Sequence, residues 1–177
     1  FKESMETHRI ASGAGKAFGL MGGDDVDVYR DIFEQLKDKN VLDEAGVRYN
    51  PYNQQEMKVA ILALFKDGVF VDQVFEGDSV EVLLPETNFY IESGGQVSDM
   101  GWIKAEDSSW KIKITDVRRP AAGVIVHIGT VKKGTLQSGV TGLAIVDFDR
   151  RKAIMRNHTA THLLHAELRK VLGEHAR

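Results

Sequence analysis

A chain of 177 residues with 42% hydrophobic side chains, 28% charged side chains and a formal net charge of −3 has a globular composition. That excludes a disordered tail, a fibrous repeat and a uniformly basic nucleic-acid binder. It contains no cysteine, so disulfides, thiolate nucleophiles and thiolate-bound metals are excluded within these residues.

In chain order, Phe1, Met5 and Arg9 follow helical spacing with no N-cap before them, so the chain is expected to open inside a helix. Gly13, Gly15, Gly19, Gly22 and Gly23 then read as a loop. Gly15-Lys16 fails as a phosphate loop, because Ala17 stands where Ser or Thr is needed and no apolar strand leads in. Asp24 and Asp25 precede Val28, Tyr29, Ile32, Phe33 and Leu36, a spacing that predicts a helix of about a dozen residues with an acidic start. Asn50-Pro51 is expected to end the helical part, which spans 1–50.

From Lys58 the period changes to two. Val59, Ile61, Ala63 and Phe65 alternate, and Asp67-Gly68 predicts a hairpin into Val69-Phe70-Val71. Further strands are expected at Ser79 to Leu84, Phe89 to Ile91, Trp110 to Val117, Val124 to Val131 and Gly142 to Phe148. Such spacing suggests a closed or nearly closed antiparallel barrel over 56–148. A helix follows over 150–177, in which Ala160, Leu164, Leu168 and Val171 form a stripe expected to face a core, with Gly173 as its stop. If exposed, that stripe invites self-association. The fold class is therefore α+β. No run reaches the roughly 18 apolar residues of a membrane span and no signal-peptide layout opens the chain, so no membrane partner and a cytoplasmic location are expected.

The charge is uneven. From Arg150 to Arg177 seven Lys or Arg stand against two Glu, a net of +5, leaving −8 for the rest. Such a basic end could steer a polyanion, and Arg156, Arg169 and Lys170 are the candidate phosphate contacts; a plainly solvated helix has the same composition.

Two motifs carry chemistry. His158 and His162, at i and i+4, share one helix face where both imidazoles can reach one ion. With His165 and Arg169 they form a polar, cationic face about 130° from the apolar stripe, which argues against histidines tucked into a core. Surface histidines without a role remain the alternative. The metalloprotease pattern is not met, since Thr159 follows His158 and no Glu can act as base. Glu92-Ser93-Gly94-Gly95-Gln96 lies between expected strands; its glycines let backbone approach a ligand and Gln96 offers donor and acceptor, yet a simple hairpin turn needs the same glycines.

Taken in order, Asn88-Phe89-Tyr90-Ile91-Glu92-Ser93-Gly94-Gly95-Gln96-Val97-Ser98-Asp99-Met100-Gly101-Trp102-Ile103 and Arg156-Asn157-His158-Thr159-Ala160-Thr161-His162-Leu163-Leu164-His165 resemble the alanyl-tRNA synthetase family. The likeness is strong over 56–177 and thin over 10–50. It implies a piece of a larger enzyme: 1–50 as the helical tail of a tRNA-recognition region, 56–148 as a barrel similar to those of translation factors, and 150–177 as the truncated first helix of an α/β editing domain. The parent would attach alanine to tRNA(Ala), using ATP and Mg2+ in an aminoacylation domain outside these residues. The editing module would hydrolyse tRNA(Ala) mischarged with serine or glycine. By the resemblance, His158 and His162 are two of four Zn2+ ligands, the other two lying downstream. Thr161 helps sense the serine hydroxyl, and Gly94, Gly95 and Gln96 lie near the tRNA acceptor end, which makes Thr161 and Gln96 the candidate catalytic residues. The piece alone would be inactive. A freestanding editing hydrolase and a non-catalytic RNA-binding barrel are the alternatives.

Overall fold

A computed structural model describes residues 24–52, 55–92 and 97–173. The first helix, α1 (Asp24–Asp38), is three residues longer than the spacing suggested and carries Tyr29 and Ile32 on its buried face. It ends at Asp38, well before Asn50-Pro51. Asn40 adopts a positive φ of 54°, a conformation asparagine tolerates better than most residues. The chain then turns back through Asp43 and Gly46, and the Val47 amide donates to the Gly123 carbonyl at 2.8 Å. At Gly46 a Cβ would sit 2.1 Å from that same carbonyl oxygen, so only glycine allows the approach. The expected helix at Phe1 and the glycine loop up to Gly23 lie outside the described residues.

Twelve strands follow among the described residues. They are β1 (Arg48–Tyr49), β2 (Glu56–Ala60), β3 (Ala63–Lys66), β4 (Val69–Val71), β5 (Gln73–Phe75), β6 (Ser79–Leu83), β7 (Glu86–Thr87), β8 (Gly101–Lys104), β9 (Lys111–Ala121), β10 (Val124–Lys133), β11 (Thr135–Gln137) and β12 (Thr141–Val146). Eight of them form one antiparallel sheet in the order β2-β12-β8-β9-β10-β6-β3-β4. β1 and β7 pair in parallel, and β5 and β11 pair antiparallel.

The expected hairpin is present. Asp67 and Gly68 take φ of 52° and 77°, the double left-handed turn whose twist matches that of the flanking strands. The single strand expected from Lys58 to Phe65 is instead two. β2 pairs with β12 and β3 pairs with β6, and the change happens at Ile61 and Leu62. Ile61 bonds back toward Val140 and Gly139, whereas the Leu62 amide donates to Leu83. One stretch of chain therefore serves both ends of the sheet and curls it. The ring of ladders is not closed, because β2 and β4 remain its edges.

Phe89 to Ile91 is not a strand either. Its amides turn to side chains: Phe89 donates to Thr87 Oγ1 at 3.0 Å and Tyr90 to Asp99 Oδ2 at 2.6 Å. The core lies inside the curl, where Ile61, Phe65, Val82, Leu83, Ile103, Ile112, Ile114 and Ala144 are buried. α1 lies against β9, β10 and β4. Its Tyr29 ring rests 4.9 Å from that of Phe65, and the Tyr29 hydroxyl donates to Glu81 at 2.6 Å.

One histidine sits in this core. His127 Nδ1 donates to the Val82 carbonyl at 3.1 Å, which leaves Nε2 to accept from the Thr87 hydroxyl at 2.7 Å. Both ring nitrogens are satisfied in the neutral form, and burial, which penalises the charged form, lowers the pKa from 6.5 to about 4. The unfolded chain takes up the proton first, so the stability tied to neutral His127 is complete above pH 6.5 and is lost as pH falls toward 4. The full effect is roughly 3 kcal/mol. The urea midpoint is expected to drop across that window, and His127→Gln should flatten the drop. An unchanged slope in the variant would assign it to other groups.

Candidate functional site

The second helix, α2 (Phe148–Leu172), is capped by Asp147, whose carboxylate accepts from the Arg150 amide at 3.0 Å. Arginines at 150 and 151 oppose the helix dipole, which favours anions in the first turn. Their partners account for them. Arg150 Nη1 donates to the Ser98 carbonyl at 2.8 Å. Arg151 is buried, as is Asp99; its Nε donates to Asp99 Oδ2 at 2.9 Å and its Nη2 reaches the same oxygen. Its other donors reach the Pro51 carbonyl at 2.7 Å and the Asn88 carbonyl at 2.5 Å. Asp99 also bonds with the Tyr90 backbone through its amide at 3.0 Å and its carboxylate. One guanidinium thus clamps both stems of the 88–99 segment and the 51 region onto the base of α2.

This clamp brings residues on both sides of the glycine motif to the base of the helix that carries the histidines. Gly94, Gly95 and Gln96 lie outside the described residues; on either side of them, Tyr90 is tied to Asp99 and Ser98 to Arg150 at the start of the histidine helix. A pocket of about 330 Å³ opens there, between Pro51, Tyr52 and Tyr90 on one side and Phe148, Met155, His158 and Thr159 on the other. Arg151 lines it as well.

His158 and His162 converge as their spacing predicts. Their Nε2 atoms are 2.8 Å apart and their ring centroids 4.5 Å. Two nitrogens bound tetrahedrally at about 2.0 Å from one zinc ion would be roughly 3.3 Å apart, so small ring rotations separate the observed contact from chelation. The donor set fits half of a zinc site. Among the described residues no third His, Cys, Asp or Glu joins them.

Thr161 is exposed and donates its hydroxyl proton to the Asn157 carbonyl at 2.9 Å, leaving the oxygen as an acceptor. Thr159, one position after His158, lines the pocket and Thr161 does not. Arg156, Arg169 and Lys170 are exposed, and Lys170 pairs with Glu167 at 2.5 Å. His165 is exposed too.

The stripe at Ala160, Leu164, Leu168 and Val171 does not face a core. Leu164 is 61% and Val171 80% exposed, and Arg151 is the buried residue of α2. No described element packs beside the helix beyond Met155. Gly173 stops it with φ 95°, its amide donating to the Arg169 carbonyl at 3.0 Å. Asp99, Arg151, Tyr90 and Thr159 were missed as site residues, although two arginines in a first helical turn are a visible anomaly. Among the described residues, no helix is long and apolar enough to cross a membrane.

The sequence that builds this sheet and helix has known relatives. The family described as tRNA synthetases class II (A) matches residues 3–150, and the chain belongs to it. Among individual proteins, alanine–tRNA ligase of Acetivibrio thermocellus is 40% identical over 99% of this chain, and that of Myxococcus xanthus is 39% identical over 99%. The enzyme of Paracoccus denitrificans is 44% identical over 77%. The chain spans 19%, 18% and 15% of those three proteins, respectively.

Arg151→Met leaves Asp99 buried without a counter-charge and is expected to cost about 3–5 kcal/mol in urea denaturation. Adding Asp99→Leu should restore most of it. A double variant no more stable than the single one would show that the backbone contacts to Pro51 and Asn88 dominate.

Proposed function

We propose that this chain is part of an alanine–tRNA ligase, an enzyme that joins alanine to tRNA(Ala) with ATP and Mg2+, and that residues 56–173 belong to its editing module. The module hydrolyses tRNA(Ala) mischarged with serine or glycine. The observation that carries this reading is the convergence of His158 and His162 beside a pocket built jointly by the clamped loop and α2. The names of the relatives support the parent activity. On this reading 24–50 closes a tRNA-recognition region, and the histidine helix opens a domain completed by chain beyond it.

Zn2+ held by His158, His162 and two further ligands supplies a Lewis acid and an anchor for the substrate's amino group or water. The chain's own residues do the rest. Each histidine would have to present an unprotonated Nε2 to the ion, so the 2.8 Å contact between the two Nε2 atoms would open when both ligate. An aminoacyl ester is already activated, and holding it in place beside a water supplies much of the required rate. The pocket walls from Tyr52, Tyr90, Phe148 and Met155 exclude bulk solvent from that ester. Thr161, with its proton given to the helix, offers an acceptor to the serine hydroxyl that alanine lacks. Gly94, Gly95 and Gln96 approach the acceptor end, and Arg156, Arg169 and Lys170 meet its phosphates.

Extended by about one domain, on the order of 100 residues, the protein is expected to release serine from serine-charged tRNA(Ala). His158→Ala should abolish that release while leaving tRNA affinity within about two-fold. Undiminished hydrolysis by the variant would remove the histidines from the chemistry, and tRNA binding without hydrolysis in the extended protein itself would leave a binding module. The 177-residue chain alone should hold zinc weakly, and stoichiometric binding at nanomolar affinity would contradict a half-site.

A further inference from the structure

On the outward face of the sheet, Lys58, Leu143, Lys104, Lys111 and Lys133 are successive partners across β2, β12, β8, β9 and β10. Like charges placed directly opposite one another repel, and the acids nearby do not cancel this row. Glu106 pairs with Lys58 at 2.7 Å. Asp107, whose carboxylate accepts from the Ser109 amide at 2.9 Å, offsets Lys133 at the other end of the row. Lys133 itself donates to the Ser108 carbonyl at 2.9 Å. Among the described residues, neither Lys104 nor Lys111 has a carboxylate within salt-bridge distance. A shallow trough of about 280 Å³ runs along Trp102, Lys104, Ser108, Lys111, Lys133 and Ile145, and the Lys111 ammonium lies 5.0 Å from the centroid of the Trp102 ring.

We propose that this lysine row is a second RNA contact, binding the sugar–phosphate backbone of the RNA that the histidine site acts on. The proposal rests on the reading of the chain as tRNA-directed. The geometry favours a polymer over a small anion, because the cations form a line beside an aromatic plane and do not close around one point. From Lys104 to Lys133 is two ladder steps, about 10 Å, the rise of roughly three stacked nucleotides. β8 joins this row to the clamp: Asp99 and Lys104 are five residues apart, about 17 Å along an extended chain, so one RNA can touch both. The body's overall negative charge keeps the remaining surface unattractive to the same backbone.

The test is fluorescence anisotropy of the 177-residue chain with a short labelled RNA strand over a range of salt. Lys104→Glu/Lys111→Glu/Lys133→Glu should weaken binding at least about ten-fold and reduce the slope of log affinity against log salt by about 2. Arg30→Glu/Lys37→Glu/Lys39→Glu, the same charge change on α1 and the residue that follows it, should leave the slope nearly as it was. A neutral Lys→Gln triple in the row, expected to lose less, decides the matter if the reversed variant does not fold. Equal losses in the row and on α1 would overturn the row as a site. No RNA binding by the unaltered chain would overturn it together with the tRNA-directed reading, whereas normal binding that the row variants leave intact would overturn the row alone.

Discussion

The buried contact between Arg151 and Asp99 decides how the rest of the molecule is arranged. A buried ion pair adds little net stability, since desolvating both charges costs about what their attraction returns. What it supplies here is position. The Arg151 guanidinium reaches Asp99, Asn88 and Pro51 from the first turn of α2, so three segments far apart in the chain share one origin. The sheet fixes Asp99, because β8 begins two residues later, and the sheet thereby fixes the helix.

Much of the fold was legible in the sequence wherever the signal is local. The Asp67-Gly68 turn needs two left-handed residues, and its pair supplies them. The strands from Ser79 and Gly142 alternate as half-buried strands must, whereas the strand from Val124 opens on four buried residues in a row. The division of Lys58 to Phe65 was not legible, because Val59, Ile61, Ala63 and Phe65 are all buried and the alternation passes unbroken through the bend. Only the choice of neighbour changes there, and a single strand's pattern carries no record of its neighbours. Phe89 to Ile91 misled for a related reason. Phe89 is buried and Ile91 partly so, but the amides of Phe89 and Tyr90 bond to Thr87 and Asp99, which composition does not foretell.

The site was legible in its pieces and not in its assembly. Helical spacing placed His158 and His162 together, and their nitrogens do meet. The same spacing gave the leucine stripe an inward face, yet periodicity reports that a helix has an apolar side and not that a partner is present to cover it. Arg151 reads as charge alone and Asp99 as part of a glycine-rich block, and no local pattern pairs the two. His127 escaped notice because a lone histidine in the run Val124 to Ile128 has the pattern of any strand residue, while its neutral, doubly bonded state depends on Thr87 and Val82 from other strands.

The long helix held only at its root behaves as a cantilever. α2 has 25 residues, about 37 Å of rise, and among the described residues its anchorage is confined to the first turn. His158 stands seven residues from Arg151, about 10 Å out, whereas Leu172 is about 31 Å out. A tilt of about 10° at the root would carry Leu172 through about 5 Å but His158 through less than about 2 Å, by the same rise per residue. The histidines therefore sit close to the pivot, where their distance from the clamped loop is least disturbed by whatever the far end of the helix meets.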